Sequence, residues 1–257
     1  GGGVAGLAAA AISAERGHSV VLLEEAPTVG GNMRLAAFPP GKGDIAGMVR
    51  SWAVRAQKAG VDIRTGIRAT PDMVAAFEPD EVVVATGAKA LELPIEGIDN
   101  PAIMKGGDVL AGKAYPGKNV LIAGGGMVGC EIADLLGELG HNVAVVEYRG
   151  VLAADMVAEH RTVVMRSFAE HGVSQVPNAK ICRFFADGVE YEDAESGQMR
   201  ELRGFDGVIL AMGYVADDCL SEDLAQRGIS VHSIGDAVKA RRAIDALREA
   251  YELAVSL

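Results

Sequence analysis

One stretch is written twice in this chain, and the repetition limits the possible fold more than any other feature. Residues 120–123 (Val-Leu-Ile-Ala) form a short apolar run ending at Gly124-Gly125-Gly126-Met127-Val128-Gly129. A helix is expected from there to about Leu139; Gly140-His141 then turns into the apolar run 143–146, closed by Glu147. A shift of 123 positions (124 − 1) lays Gly1, Gly3, Gly6, Gly17, His18, Val20 and Glu24 on Gly124, Gly126, Gly129, Gly140, His141, Val143 and Glu147. The first glycine and the carboxylate stand 23 apart in both copies (24 − 1 and 147 − 124). Glycines spaced G-x-G-x-x-G between a strand and a helix are the fingerprint of a dinucleotide site. The first allows the tight turn, the second lets backbone approach a pyrophosphate, and the third lets helix and strand pack closely. The helix N-terminus then faces the phosphates. Glu24 and Glu147 stand where a carboxylate grips both hydroxyls of an adenosine ribose. The expectation is an α/β protein of two Rossmann-like domains holding two dinucleotides.

Composition agrees. With 257 residues and 49% hydrophobic content, the chain can build two modest cores. Thirty-three glycines and few aromatics suit an α/β fold with many tight turns. A net charge of −11 argues against nucleic acid or an anionic membrane as partner. No apolar run approaches the roughly 18 residues of a membrane span, and no signal peptide is visible, so a cytoplasmic location is expected. Cys130, Cys182 and Cys219 are scattered and read as free thiols. No C-x-x-C or C-x-x-x-x-C occurs, so these residues encode no redox-active disulfide, iron–sulfur or zinc site. His160 and His171 have no metal-ligand spacing.

The chain opens on Gly1 with no strand before the first fingerprint, whereas residues 118–123 supply one for the second. The expectation is therefore a fragment lacking its first strand. Further helices are expected over 4–15, 45–59 (apolar at 45, 48, 49, 52, 56 and 59), 155–171 and 241–255. Strands are expected over 20–23, 61–64, 82–85, 175–187, 189–191, 208–211 and 231–234. Residues 82–87 and 208–213 share a pattern, an apolar strand ending in Ala85-Thr86-Gly87 or Ala211-Met212-Gly213. Residues 91–115, rich in proline and glycine, read as a crossing between domains. Trp52 reads as packing, and Cys130 as a small packing residue at a helix start.

Taken together these anchors resemble the two-dinucleotide-binding-domain flavoproteins, over essentially the whole chain. The resemblance implies an FAD domain (1–106 and 221–257) interrupted by an NAD(P) domain (107–220). A narrower likeness lies in Gly30-Gly31-Asn32-Met33-Arg34 running on to Pro39-Pro40-Gly41-Lys42, and in residues 235–246, which open with Gly235-Asp236. Both are similar to the C-terminal half of the Old Yellow Enzyme-like fused reductases, the group of 2,4-dienoyl-CoA reductase, 2-enoate reductase and trimethylamine dehydrogenase. In that family a TIM barrel carrying FMN and a [4Fe–4S] cluster precedes this module. The resemblance implies hydride transfer from NADH to FAD, with electrons passing on to the barrel half, which reduces an activated C=C bond. No general acid or base is nominated, because such chemistry belongs to the cofactors.

Site residues follow. Gly1, Gly3, Gly6 and Glu24 would hold the pyrophosphate and ribose of FAD, with Glu25 a rival for the ribose. Gly31, Arg34, Ala85, Thr86, Gly87, Gly235 and Asp236 would complete that site; Asp236 is favoured as a ligand over a helix cap and Thr86-Gly87 as a ligand contact over a plain turn, while Arg34 reads equally as an exposed loop residue. Gly124, Gly126, Gly129, Glu147, Met212 and Gly213 would hold the second dinucleotide. Glu131 either faces the nicotinamide or simply favours a helix N-terminus. A carboxylate at 147 prefers the free 2′-hydroxyl of NADH, while Arg149 keeps NADPH open. Two rivals remain: a stand-alone NADH-dependent flavin reductase or NADH oxidase, and a non-redox adenine-nucleotide-binding module.

Overall fold

The computed structural model describes residues 1–257 and divides into two compact units. The first comprises Gly1–Phe38, Lys42–Lys89 and Tyr214–Leu257; the second comprises Pro39–Gly41 and Ala90–Gly213.

In the second unit a five-stranded parallel sheet is built from β5 (Ile103–Lys105), β6 (Asn119–Ala123), β7 (Asn142–Val146), β8 (Ser174–Val176) and β12 (Gly207–Leu210), in the order β5-β12-β6-β7-β8. Its central strand β6 is buried on both faces, as Val120, Leu121, Ile122 and Ala123 are all fully inaccessible, which explains a continuous apolar run rather than an alternating one. Helix α4 (Gly106–Leu110), α5 (Met127–Glu138) and α6 (Ala158–His171) accompany it. A separate antiparallel sheet, β11-β10-β9, is formed by β9 (Ala179–Phe185), β10 (Gly188–Asp193) and β11 (Met199–Leu202).

In the first unit α1 (Val4–Glu15) is almost wholly buried. Its alanines let α8 (Ala243–Ser256) come close through Ala246, Ala250 and Ala254, and α2 (Asp44–Lys58) packs nearby. Two parallel pairs flank this helical layer: β1 (Val21–Glu24) with β2 (Asp62–Thr65), and β3 (Glu81–Val84) with β14 (Ser230–Ser233). No strand joins β1 to β3, whereas β6 joins β7 to β12 in the second unit. Short helices α3 (Pro71–Ala75) and α7 (Ser221–Gln226) complete the unit, and β4 (Ala88–Ala90) pairs with β13 (Tyr214–Ala216). Trp52 is half-buried against the α1 core with Arg55 stacked on its ring at 4.9 Å, a packing role as read from the sequence.

Four expectations are revised. The supposed crossing over 91–115 contains β5 and α4, and Ile95, Ile98 and Ile103 pack on the second unit's core, so the units divide at 89/90 and not 106/107. The other division falls at 213/214 rather than 220/221. The strand expected over 175–187 is two strands of different sheets, broken where Pro177 lacks an N–H and Asn178 takes a left-handed φ of 57°. The helix expected from Asp155 starts at Ala158, because Asp155 is used elsewhere.

Candidate functional site: two matching glycine turns and the cleft beside the first

The two fingerprints repeat in three dimensions as they do in sequence. A Cβ on Gly1 would lie 2.2 Å from the Ala85 carbonyl oxygen, and on Gly124 2.3 Å from that of Ala211. A Cβ on Gly6 would lie 1.9 Å from the Gly1 oxygen, and on Gly129 1.9 Å from that of Gly124. The first glycine is therefore required by the neighbouring Ala85 or Ala211 backbone, and the third by a backbone contact inside its own turn. The middle ones differ. Nothing lies within 4 Å of a Cβ on Gly3, and only the Asp155 carboxylate, at 3.5 Å, faces one on Gly126. That open face lies directly before the first amides of α1 and α5, the end at which a helix leaves N–H groups without intrahelical partners; in α5 the first of them, of Met127, is taken by Asp155.

The carboxylates repeat too. Glu24 is buried, its Oε2 accepting the Gly2 N–H at 2.6 Å and its Oε1 the Ala26 N–H at 2.7 Å. Glu147 is buried likewise, accepting the Gly125 N–H at 2.6 Å and the Arg149 N–H at 2.9 Å. Each glutamate thus ties the strand end to its own glycine turn, a task that the ribose reading of the sequence missed. Each oxygen retains a lone pair for a further donor.

A cleft opens at the first turn. Gly1, Gly3, Glu24 and Glu25 line it, with Gly31, Ala85, Thr86, Gly87 and Asp236. Thr86 Oγ1 donates to the Asp217 carbonyl at 2.5 Å, fixing the small-residue turn. Glu25 is exposed and pairs with Arg68 at 3.3 Å, so Glu24 is the buried member of the two acids. Gly30, at φ 120°, turns the chain into a 3-10 segment, Gly31–Ala37, and its N–H reaches the Gly2 oxygen at 2.7 Å. This turn presents Asn32 and Met33 to the cleft; Arg34 instead folds over Gly30 and is exposed. Gly6 and Gly235 lie behind the wall, Gly235 against Ala5 and Ala246. Burial raises the carboxyl pKa of Asp236, while its Oδ1 accepts the Arg241 N–H at 3.0 Å. Arg241 also lines the cleft and was not anticipated.

Around the second turn, Glu131 is buried within α5 rather than presented at the surface. Met212 packs on the core below β12, and Gly213, at φ 107°, accepts the Leu91 N–H at 2.9 Å. Asp155 Oδ1 accepts the Met127 N–H at 2.8 Å, capping α5 from a distant loop. Asp155→Ala is expected to lower the stability of this unit by ~1 kcal/mol, read by urea denaturation with a probe in that unit.

Burial pushes the Cys130 thiol up to about 12, and its Sγ lies 3.3 Å from the Gly125 oxygen, so a thiolate there is excluded at neutral pH. Cys219 is exposed and lines the cleft. Alkylation followed by mass spectrometry should label Cys219 first, Cys182 more slowly and Cys130 only after unfolding, with FAD protecting Cys219.

The model of pyridine nucleotide-disulphide oxidoreductases matches residues 1–238. The chain belongs to that family. It is an FAD- and NAD(P)-dependent oxidoreductase module; at the first turn the open face of Gly3 and the remaining lone pairs of Glu24 leave room for a dinucleotide. The chain is 35% identical over 236 residues to bilirubin reductase of Mediterraneibacter gnavus (strain CC55_001C), covering 92% of this chain and 36% of that protein. It is 36% identical over 261 residues to NADH oxidase of Thermoanaerobacter brockii, covering 99% of this chain and 40% of that protein. A solved structure of 2-naphthoyl-CoA reductase with 2-naphthoyl-CoA superposes on the whole chain with a TM-score of 0.93 and 30% identity, matching 39% of its own chain. The chain thus spans about two fifths of the length of these relatives. No helix is long and apolar enough to cross a membrane.

Proposed function

We propose that this chain is the electron-input half of a larger reductase. FAD held in the cleft by Gly1, Gly3, Glu24, Thr86 and Asp236 supplies the hydride acceptor, and NADH held at Gly124, Gly126 and Glu147 supplies the donor. The other half is proposed to carry FMN and a [4Fe–4S] cluster on a barrel and to reduce an activated C=C bond. The chain's own residues bind and orient: the helix N-termini take the pyrophosphates, and the two buried glutamates accept ribose hydroxyls through their remaining lone pairs. The observation that carries this reading is that the whole chain superposes on a minor part of a much longer CoA-ester reductase.

NADH is favoured over NADPH because Glu147 is held buried at the strand end, where a 2′-phosphate would meet a carboxylate. Arg149, the residue that could have offset this, lies on the Tyr148 ring and donates to its hydroxyl at 2.9 Å.

The test is the visible spectrum of the FAD-loaded protein during anaerobic addition of NADH or NADPH. The expected result is flavin bleaching by NADH, with NADPH needed at about tenfold higher concentration, a difference of ~1.4 kcal/mol. Protein that cannot be loaded with FAD would overturn the reading and leave an adenine-nucleotide-binding module. The T. brockii relative favours a second reading, direct oxidation of NADH by oxygen. Rapid aerobic turnover by this chain alone would select it.

A further inference from the structure

The segment 235–241, between β14 and α8, runs along the FAD cleft. It delivers two charged groups to the cleft, Asp236 and Arg241, yet beyond the short 3-10 turn Gly235–Ala237 it has no regular structure. A segment like this stays in place only if something outside it holds both ends.

Glu249 does so. Its Oε2 accepts the Gly235 N–H at 2.7 Å, and its Oε1 accepts from the Arg241 guanidinium. One carboxylate therefore spans the turn from first residue to last, and Asp236 closes it a second time through the Arg241 N–H. The anchor is itself rigid. Glu249 sits on α8 beside Ala246 and Ala250, which are buried against the fingerprint helix α1. Gly235 adopts φ 64° and packs so closely that a Cβ would lie 2.9 Å from that of Ala5. Glycine turn, α1, α8 and the 235–241 segment thus form one packed path around the cleft.

We propose that Glu249 is a positioning residue for FAD: its carboxylate holds the 235–241 turn so that Asp236 and Arg241 face the bound dinucleotide. It touches no ligand itself and acts through those two residues. The inference rests on FAD occupying the first cleft and not on the identity of the electron donor or acceptor.

The test is FAD affinity, measured by quenching of flavin fluorescence on FAD-free protein, for the natural chain, Glu249→Ala, Glu249→Gln and Arg241→Ala. Circular dichroism and melting temperature check that each variant is folded. Glu249→Ala removes both clamps and should raise Kd by about thirtyfold. Glu249→Gln keeps one acceptor, for the Gly235 N–H, and loses both the charge and the acceptor for Arg241, so it should recover part of the affinity, leaving Kd raised about tenfold. The effect of Arg241→Ala should shrink sharply once position 249 is alanine, because the two act through one contact. If Glu249→Ala does not fold, the cycle is run with Glu249→Gln. An unchanged Kd in the position-249 variant tested, or full additivity with Arg241→Ala, would overturn the assignment. If the natural chain binds FAD but is not bleached by NADH, the electron-input reading falls and Glu249 is still tested. If the natural chain binds no FAD, both fall.

Discussion

Gly129→Ala is expected to unfold the second unit or to cost it about 4 kcal/mol, with NADH binding lost alongside. The added methyl would sit 1.9 Å from the Gly124 carbonyl oxygen, well inside any tolerated contact, and next to the Ala211 side chain at 3.2 Å. Relief requires moving Gly124, which is fixed at φ 106° with its N–H on the Val146 oxygen at 2.9 Å. The strain therefore reaches the central strands. Gly6→Ala repeats the experiment in the first unit, with the same 1.9 Å approach to the Gly1 oxygen. Gly3→Ala supplies the contrast, since nothing lies within 4 Å of its Cβ. That variant should keep its stability and lose FAD affinity, because the methyl occupies the face on which a pyrophosphate would rest. Urea unfolding with FAD and NADH titrations separates the three outcomes. A Gly129→Ala protein as stable as the natural chain would refute the packing argument.

Glu147→Ala comes next, at ~3 kcal/mol of lost stability. Two N–H groups lose a charged acceptor, that of Gly125 in a buried bond and that of Arg149 in a partly buried one. Glu24→Ala removes the matching pair from Gly2 and Ala26 and should lower stability and FAD affinity together. Glu147→Gln is the informative partner. It retains one acceptor and removes the charge that opposes a 2′-phosphate, so the NADH preference should narrow while much of the stability remains. Equal stability of Glu147→Ala and the natural protein would show that these buried bonds contribute nothing net.

Much of this site was legible because its parts lie close together in the chain. The fingerprint, its helix and its carboxylate fall within 24 residues, and the shift of 123 positions exposed them twice. α1 matches the expected span residue for residue, since an alanine-rich helix bounded by glycines has clear ends. Reading failed where neighbours far apart in sequence decide the outcome. The strand over 175–187 broke because Asn178 could turn the chain toward a second sheet. α3, α7 and β11 escaped notice because they are too short to show a period. Arg34 read from its motif either as a ligand or as an exposed loop residue, and only the 3-10 turn that folds it over Gly30 and leaves it exposed shows where it lies.

The sequence by itself determined that two glycine turns with partner acids must exist, because glycine alone fits such a turn and the spacing is set by one strand–helix–strand unit. Only the tertiary structure decided what those acids and their surroundings do. Glu24 and Glu147 close on backbone amides, Asp155 crosses from another loop to cap α5, and Glu249 clamps a turn fourteen residues upstream. Such contacts depend on distance in space, which packing of the alanine-lined helices and parallel strands sets and no local pattern encodes.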